Sequence, residues 1–123
     1  MRAPEGMKAT ESIIAFRHDG GFARVRFPDV LYACTANERK IRLVTRKREY
    51  VRSNITLKNL LSEFGEGMFV QCHRSFAVNV TNIETIIPVT SKTWDIYFFD
   101  APDEKCRLSI NYRKAIEKLL GKR

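Results

Sequence analysis

Hydrophobic and polar positions alternate in short runs along most of the chain, and a period of two predicts half-buried β-strands. In FARVRF (22–27), Ala23, Val25 and Phe27 share one face while Arg24 and Arg26 take the other. KIRLVT (40–45) sets Ile41 and Leu43 against Lys40 and Arg42 in the same way. EYVR (49–52), ETIIPV (84–89), TWDIYFF (93–99) and KCRLSI (105–110) read as further strands, with Trp94, Ile96 and Phe98 on a common face. Residues 11–17 (ESIIAFR) end at the turn His18-Asp19-Gly20-Gly21. VLYACT (30–35) is an unbroken apolar run of buried-strand length, and FVQCHRSFAVNV (69–80) is extended with a break at His73-Arg74-Ser75. Two stretches carry the helical period instead. Leu57, Leu60, Leu61 and Phe64 form a stripe within 56–64, capped by Ser53 or Asn54 and stopped by Gly65 or Gly67. Tyr112, Ala115, Ile116 and Leu119 form another in NYRKAIEKLL, capped by Asn111 and ended by Gly121. The pattern predicts a mainly β fold of about eight or nine short strands with two short helices.

Residues 1–10 (MRAPEGMKAT) lack periodicity and read as a flexible lead-in, leaving 11–123 as a single domain. A hydrophobic content of 44% supports a packed core and argues against disorder. No apolar run is long enough to span a membrane, and the first ten residues hold no signal-peptide core, so a cytoplasmic location is expected. Cys34, Cys72 and Cys106 are odd in number and form no Cys-x-x-Cys pair, which fits reduced, buried thiols.

Charge changes the picture. The formal net charge is +8, and it is unevenly placed. Arg39, Lys40, Arg42, Arg46, Lys47, Arg48, Arg52 and Lys58 are accompanied between 39 and 58 only by Glu49, giving that stretch +7. The segment 113–123 carries +4. Clustered cations on strands and turns suit a polyanionic partner. A solvated sheet face is the plainer alternative, and Arg42, alternating with Ile41 and Leu43, points away from the core in either case.

Candidate chemistry narrows the choice by its absence. His18-Asp19 sits in a turn with no Ser or Cys at motif spacing. Cys72 and His73 are neighbours on a strand, so their side chains diverge and do not share a metal. No zinc spacing, phosphate loop or nucleophile elbow occurs. No catalytic site, metal or cofactor is expected, and the chain is not read as an enzyme. The aromatic residues alternate with polar ones as core residues do, which makes a base-stacking platform the weaker reading.

FVQCHRSFAVNVTNIETI (69–86) resembles the signature of the LytTR family of bacterial transcription regulators, in which a strand runs into a His-Arg-Ser-aromatic stretch followed by a hydrophobic-Val-Asn strand. DVLYACTANERKIRLVT, YVRSNITLKNLLSEF and LSINYRKAIEKLL resemble the family's early strand and loop, capped helix and terminal strand-to-helix segment, in the right order over 29–120. The resemblance implies an elongated stack of small antiparallel sheets with ten strands. It implies that loops between strands, rather than a recognition helix, read duplex DNA, with a dimer on paired half-sites. By position those loops are Asn37 to Lys40, His73-Arg74, and Asn111 to Arg113. The first loop is slightly longer than the family pattern, which leaves Asn37, Glu38 and Arg39 as alternative readers. INYR stands where the family more often has a Ser-Arg pair. Family members usually carry a phosphorylated receiver domain N-terminally; none is encoded here, which suggests a stand-alone regulator or an excised C-terminal domain.

Residue chemistry agrees with this assignment. Arg matches guanine O6 and N7 with two hydrogen bonds, and Asn matches adenine similarly. His73, Arg74, Asn37, Arg39, Asn111 and Arg113 are therefore candidate base contacts. Lys40, Arg42, Arg46, Lys47, Arg48, Arg52 and Ser75 are candidate phosphate contacts, which position without reading. Each has a structural alternative: His73 as a packed histidine, Arg74 as a surface ion pair, Asn111 as a helix cap. The competing functions are a basic β module that binds RNA, which needs exposed aromatics on a sheet face, and a protein- or membrane-surface module without DNA specificity.

Overall fold

The alternation of the basic segments reflects strands with one face on the core, and the unbroken apolar run of VLYACT reflects a central strand covered on both faces. The computed structural model describes residues 13–18, 21–37 and 39–121. The expected lead-in, Asp19 and Gly20 of the first turn, and Glu38 of the first loop lie outside the described residues.

Ten strands are described: β1 (Ile13–His18), β2 (Gly21–Arg26), β3 (Val30–Ala36), β4 (Lys40–Thr45), β5 (Glu49–Ser53), β6 (Phe69–His73), β7 (Phe76–Asn79), β8 (Ile83–Pro88), β9 (Thr93–Phe98) and β10 (Ala101–Ser109). The helices are α1 (Leu57–Phe64) and α2 (Ile110–Leu120). Every pairing is antiparallel, in a β1-β2 hairpin, a five-stranded sheet ordered β5-β4-β3-β7-β6 and a three-stranded sheet ordered β10-β9-β8. The break at His73-Arg74-Ser75 separates two strands, which brings the count to ten.

Two apolar clusters flank the central sheet. Phe27, Ala33, Ile41, Leu43, Leu60 and Phe64 belong to the first, under α1 and β2. Tyr32, Cys34, Val78, Ile96, Phe98 and Ile116 belong to the second, against the three-stranded sheet and α2. In β3 the faces alternate from Tyr32 through Cys34, but Leu31 and Tyr32 both join the second cluster. A register shift between Val30 and Tyr32 explains this, because a bulged residue turns consecutive side chains to one side. Tyr32 Oη donates to Glu104 Oε1 at 3.0 Å across the sheets, and burial together with that bond pushes the phenol pKa well up. The three thiols are all buried in the second cluster, where burial and the Cys72 thiol raise the pKa of Cys106.

Two 3-10 turns are stitched by buried amides. Asn79 Nδ2 donates to Phe27 O and Val30 O, and Asn82 Nδ2 to Pro28 O and Val30 O.

Three sequence expectations need correction. Thr56, not Ser53 or Asn54, caps α1: its extended backbone lets Oγ1 accept from the Asn59 amide at 3.1 Å. Asn54 takes a left-handed conformation (φ 59°) and ends β5 by donating its amide to Arg39 O. Asn111 lies inside the first turn of α2; Ser109 occupies the cap without a side-chain bond, and β10 runs straight into the helix. Ala115 is exposed, because the buried stripe of α2 narrows to Ile116 with Tyr112 and Leu119 half-buried beside it.

Candidate nucleic-acid interface

The β3–β4 hairpin closes where Ala36 pairs with Lys40, which pushes Asn37 and Arg39 into solvent. Arg39 adopts φ 59°, and its carbonyl accepts from the Asn54 amide at 2.9 Å. On the neighbouring pair, His73 faces Phe76 across the β6–β7 turn. Cys34 pairs with Phe76, and the Thr35 amide donates to Ser75 O at 3.0 Å. The first two expected loops therefore hang from one end of the central sheet. Because Lys40 pairs with Ser53, the start of α1 reaches the same end.

A cleft of about 690 Å³ opens there, lined by Arg39, Lys40, Lys58 and Arg74 together with Asn54 and Gln71. No ion-pair partner of Arg39, Lys58 or Arg74 is present among the described residues. Ser75 contributes its main chain: its amide donates to His73 Nδ1 at 3.1 Å. Burial and the positive charges of Arg107 and Arg74 lower the His73 pKa, which favours the neutral ring.

Other candidates lie elsewhere or are engaged. Arg42 bonds Glu49 Oε1 at 3.1 Å and Cys34 Sγ at 3.4 Å. Arg52 makes a two-pronged pair with Glu63. Arg46 donates to Pro28 O and Asn82 Oδ1, both at 2.9 Å, and so clamps a 3-10 turn. Lys47 and Arg48 are exposed on the β4–β5 turn, at the other end of β4 from Lys40. Six strand residues span roughly 20 Å, so this second group is well separated from the cleft. Asn111 is exposed, and Arg113 stacks 4.9 Å over Trp94 while pairing with Glu117 at 2.7 Å.

Sequence reasoning passed over Gln71 and Arg107 entirely, named Asn54 only as a helix cap, and counted Lys58 only in the charge total. Gln71 stands two residues before His73 on an otherwise apolar strand, a spacing that puts both on one face. The bulge between Gln71 and His73 obscured that relation. Nothing in the local pattern marked Arg107, whose proximity to His73 comes from packing of β10 on β6. No group of His, Cys, Asp or Glu among the described residues could hold a metal. No helix among them is long and apolar enough to cross a membrane.

The arrangement offers guanidinium forks, ammonium groups and one imidazole around one end of the central sheet, which suits phosphates and base edges together. The family model described as LytTr DNA-binding domain matches residues 20–121. A solved structure, the LytTr DNA-binding domain of a Bacillus cereus protein described as a methyl-accepting/DNA response regulator, is 26% identical with a TM-score of 0.74. That similarity covers 89% of this chain and 97% of the other. Among curated proteins, none matches the chain.

Proposed function

The chain belongs to the LytTr DNA-binding domain family, and from that premise we propose that it binds duplex DNA sequence-specifically as a cytoplasmic transcription regulator, or as the DNA-binding part of one, with two copies on paired half-sites. The observation that carries this reading is the meeting of the 37–40 and 73–75 loops with the cationic cleft at one end of the central sheet. His73, Arg74, Asn37 and Arg39 are the proposed base contacts there, with Asn111 and Arg113 from the start of α2. Lys40 and Lys58 are the proposed phosphate contacts nearest to them. Lys47 and Arg48 join them only on a duplex that runs along the strands.

Selection from a random duplex library, followed by mobility shifts, tests the reading. An enriched two-part motif bound by two copies supports it. Uniform affinity across sequences, or tighter binding of single-stranded RNA, refutes it. Arg74→Ala is expected to cost about 1–3 kcal/mol on the preferred site. Lys40→Ala should weaken all sequences alike and flatten the salt dependence by about one unit of slope. The same measurement on Lys47→Ala reports whether the far turn touches the duplex.

A further inference from the structure

The β6–β7 turn is held from three sides. Gln71 Nε2 donates to His73 O at 3.1 Å and to Arg74 O at 3.4 Å. The Ser75 amide donates to His73 Nδ1 at 3.1 Å, and the Ser75 carbonyl accepts from Thr35 on β3. The His73 ring packs edge-on against Phe76, with centroids 5.5 Å apart, which fixes its plane. A backbone N–H only donates, so Nδ1 must accept, and a ring nitrogen that accepts carries no proton. The remaining proton is then on Nε2.

We propose that Gln71 is a positioning residue for the β6–β7 turn, and that His73 in consequence presents one fixed Nε2–H donor that selects a base edge offering an acceptor. That edge is purine N7, guanine O6 or thymine O4, and an exocyclic amine in the same place is rejected. The proposal rests on the DNA-binding reading above and adds the polarity of one contact to it. Two cations near the ring, Arg74 on the turn and Arg107 on β10, work in the same direction, since each opposes a second ring proton. Arg107 is itself held by Asp95 Oδ1 at 3.1 Å, and Lys105 shares that carboxylate.

Two measurements on the full chain test it. Nitrogen-15 chemical shifts of the His73 ring at neutral pH are expected to show Nε2 protonated and Nδ1 bare. A proton on Nδ1 overturns the proposal whether or not DNA binds. On the operator found by selection, base analogues lacking N7, O6 or O4 are then placed one position at a time. Removing one particular acceptor should weaken the native protein about tenfold and leave His73→Ala unaffected. Coupling of His73 to an exocyclic amine overturns the proposal. For Gln71→Ala, operator preference over random duplex should fall about tenfold, with random-duplex affinity little changed and the melting temperature lower by about a few degrees. Gln71→Met keeps the length, loses the donors without adding a charge and should behave alike, which separates the effect from a folding defect. Full operator preference in both variants, or a parallel loss on random duplex, overturns the positioning role. A native protein with no operator preference overturns the DNA-reading half, while the ring shifts still report the tautomer independently.

Discussion

Replacing Asn79 with alanine removes a side chain that touches no solvent and makes four hydrogen bonds. Its Nδ2 donates to Phe27 O at 3.1 Å and Val30 O at 3.0 Å, and its Oδ1 accepts from the Thr81 amide and hydroxyl. Each such bond contributes a net ~0.5–1.5 kcal/mol, so the gross loss is about 2–6 kcal/mol. Two acceptors keep a partner in the variant. The Val30 amide still donates to Phe27 O, and Asn82 still reaches Val30 O at 2.7 Å. The expected cost therefore sits in the lower half of that range, about 3 kcal/mol, or roughly 10–15 °C in melting temperature for a domain of this size. Asn82→Ala should cost about 2–3 kcal/mol, since it removes bonds to Pro28 O, Val30 O and Arg46. In the double variant Val30 O loses both amide donors, so the combined loss should exceed the sum by about 1 kcal/mol. Urea denaturation of the four proteins measures the cycle. An Asn79→Ala cost below about 1 kcal/mol, or a double variant no worse than additive, would refute the reasoning.

Gly65 ends α1 at φ 63°, and the nearest atom to an added Cβ is 3.9 Å away, so Gly65→Ala meets only backbone strain and should cost about 1 kcal/mol by thermal denaturation. His73 has a folded pKa below its unfolded value of about 6.5, so below that pH the unfolded chain binds the extra proton. Its contribution is complete above about pH 6.5 and is lost as pH falls through the folded value; His73→Gln should remove that part of the pH dependence, read as the difference between urea midpoints of the two proteins. Arg52 is already neutralised by Glu63, so Arg52→Ala should change the salt dependence of DNA binding by much less than Lys40→Ala does. Equal changes would show that Arg52 leaves Glu63 for phosphate.

The strands were legible wherever one face meets the core, as with Val25 and Phe27 against Arg24 and Arg26, because burial imposes the alternation. The two-faced cover of β3 was legible as the apolar run VLYACT. What stayed hidden depends on contacts distant in sequence. Thr56 displaces two plausible caps because the pairing of Lys40 with Ser53 ends β5 at that point and bends Asn54 into a left-handed conformation. Charge was legible and its geometry was not. The run from Arg39 to Lys58 reads as one basic block, but the β4–β5 hairpin folds it so that Lys47 and Arg48 leave from the opposite end. Arg42, Arg46 and Arg52 differ from Arg74 only through Glu49, Asn82 and Glu63, which lie up to 36 positions away. Gln71 carries no motif signal, since its work is to bind two carbonyls.

Strand β3 lies in the middle of five, with apolar cover above and below. Amides in such a strand exchange with solvent only when much of the domain opens, so exchange at 31–34 should track global stability. The two loops at the cationic end are continuous with that strand or bonded to it through Thr35 and Ser75. The 73–75 turn, mounted this way, has little conformational freedom left to surrender on docking, so its free and bound backbones should agree within about 1 Å. Affinity is then not drained by ordering the protein. The same mounting has a cost: a substitution deep in either apolar layer can blunt recognition at a distance by loosening the rim before the domain unfolds.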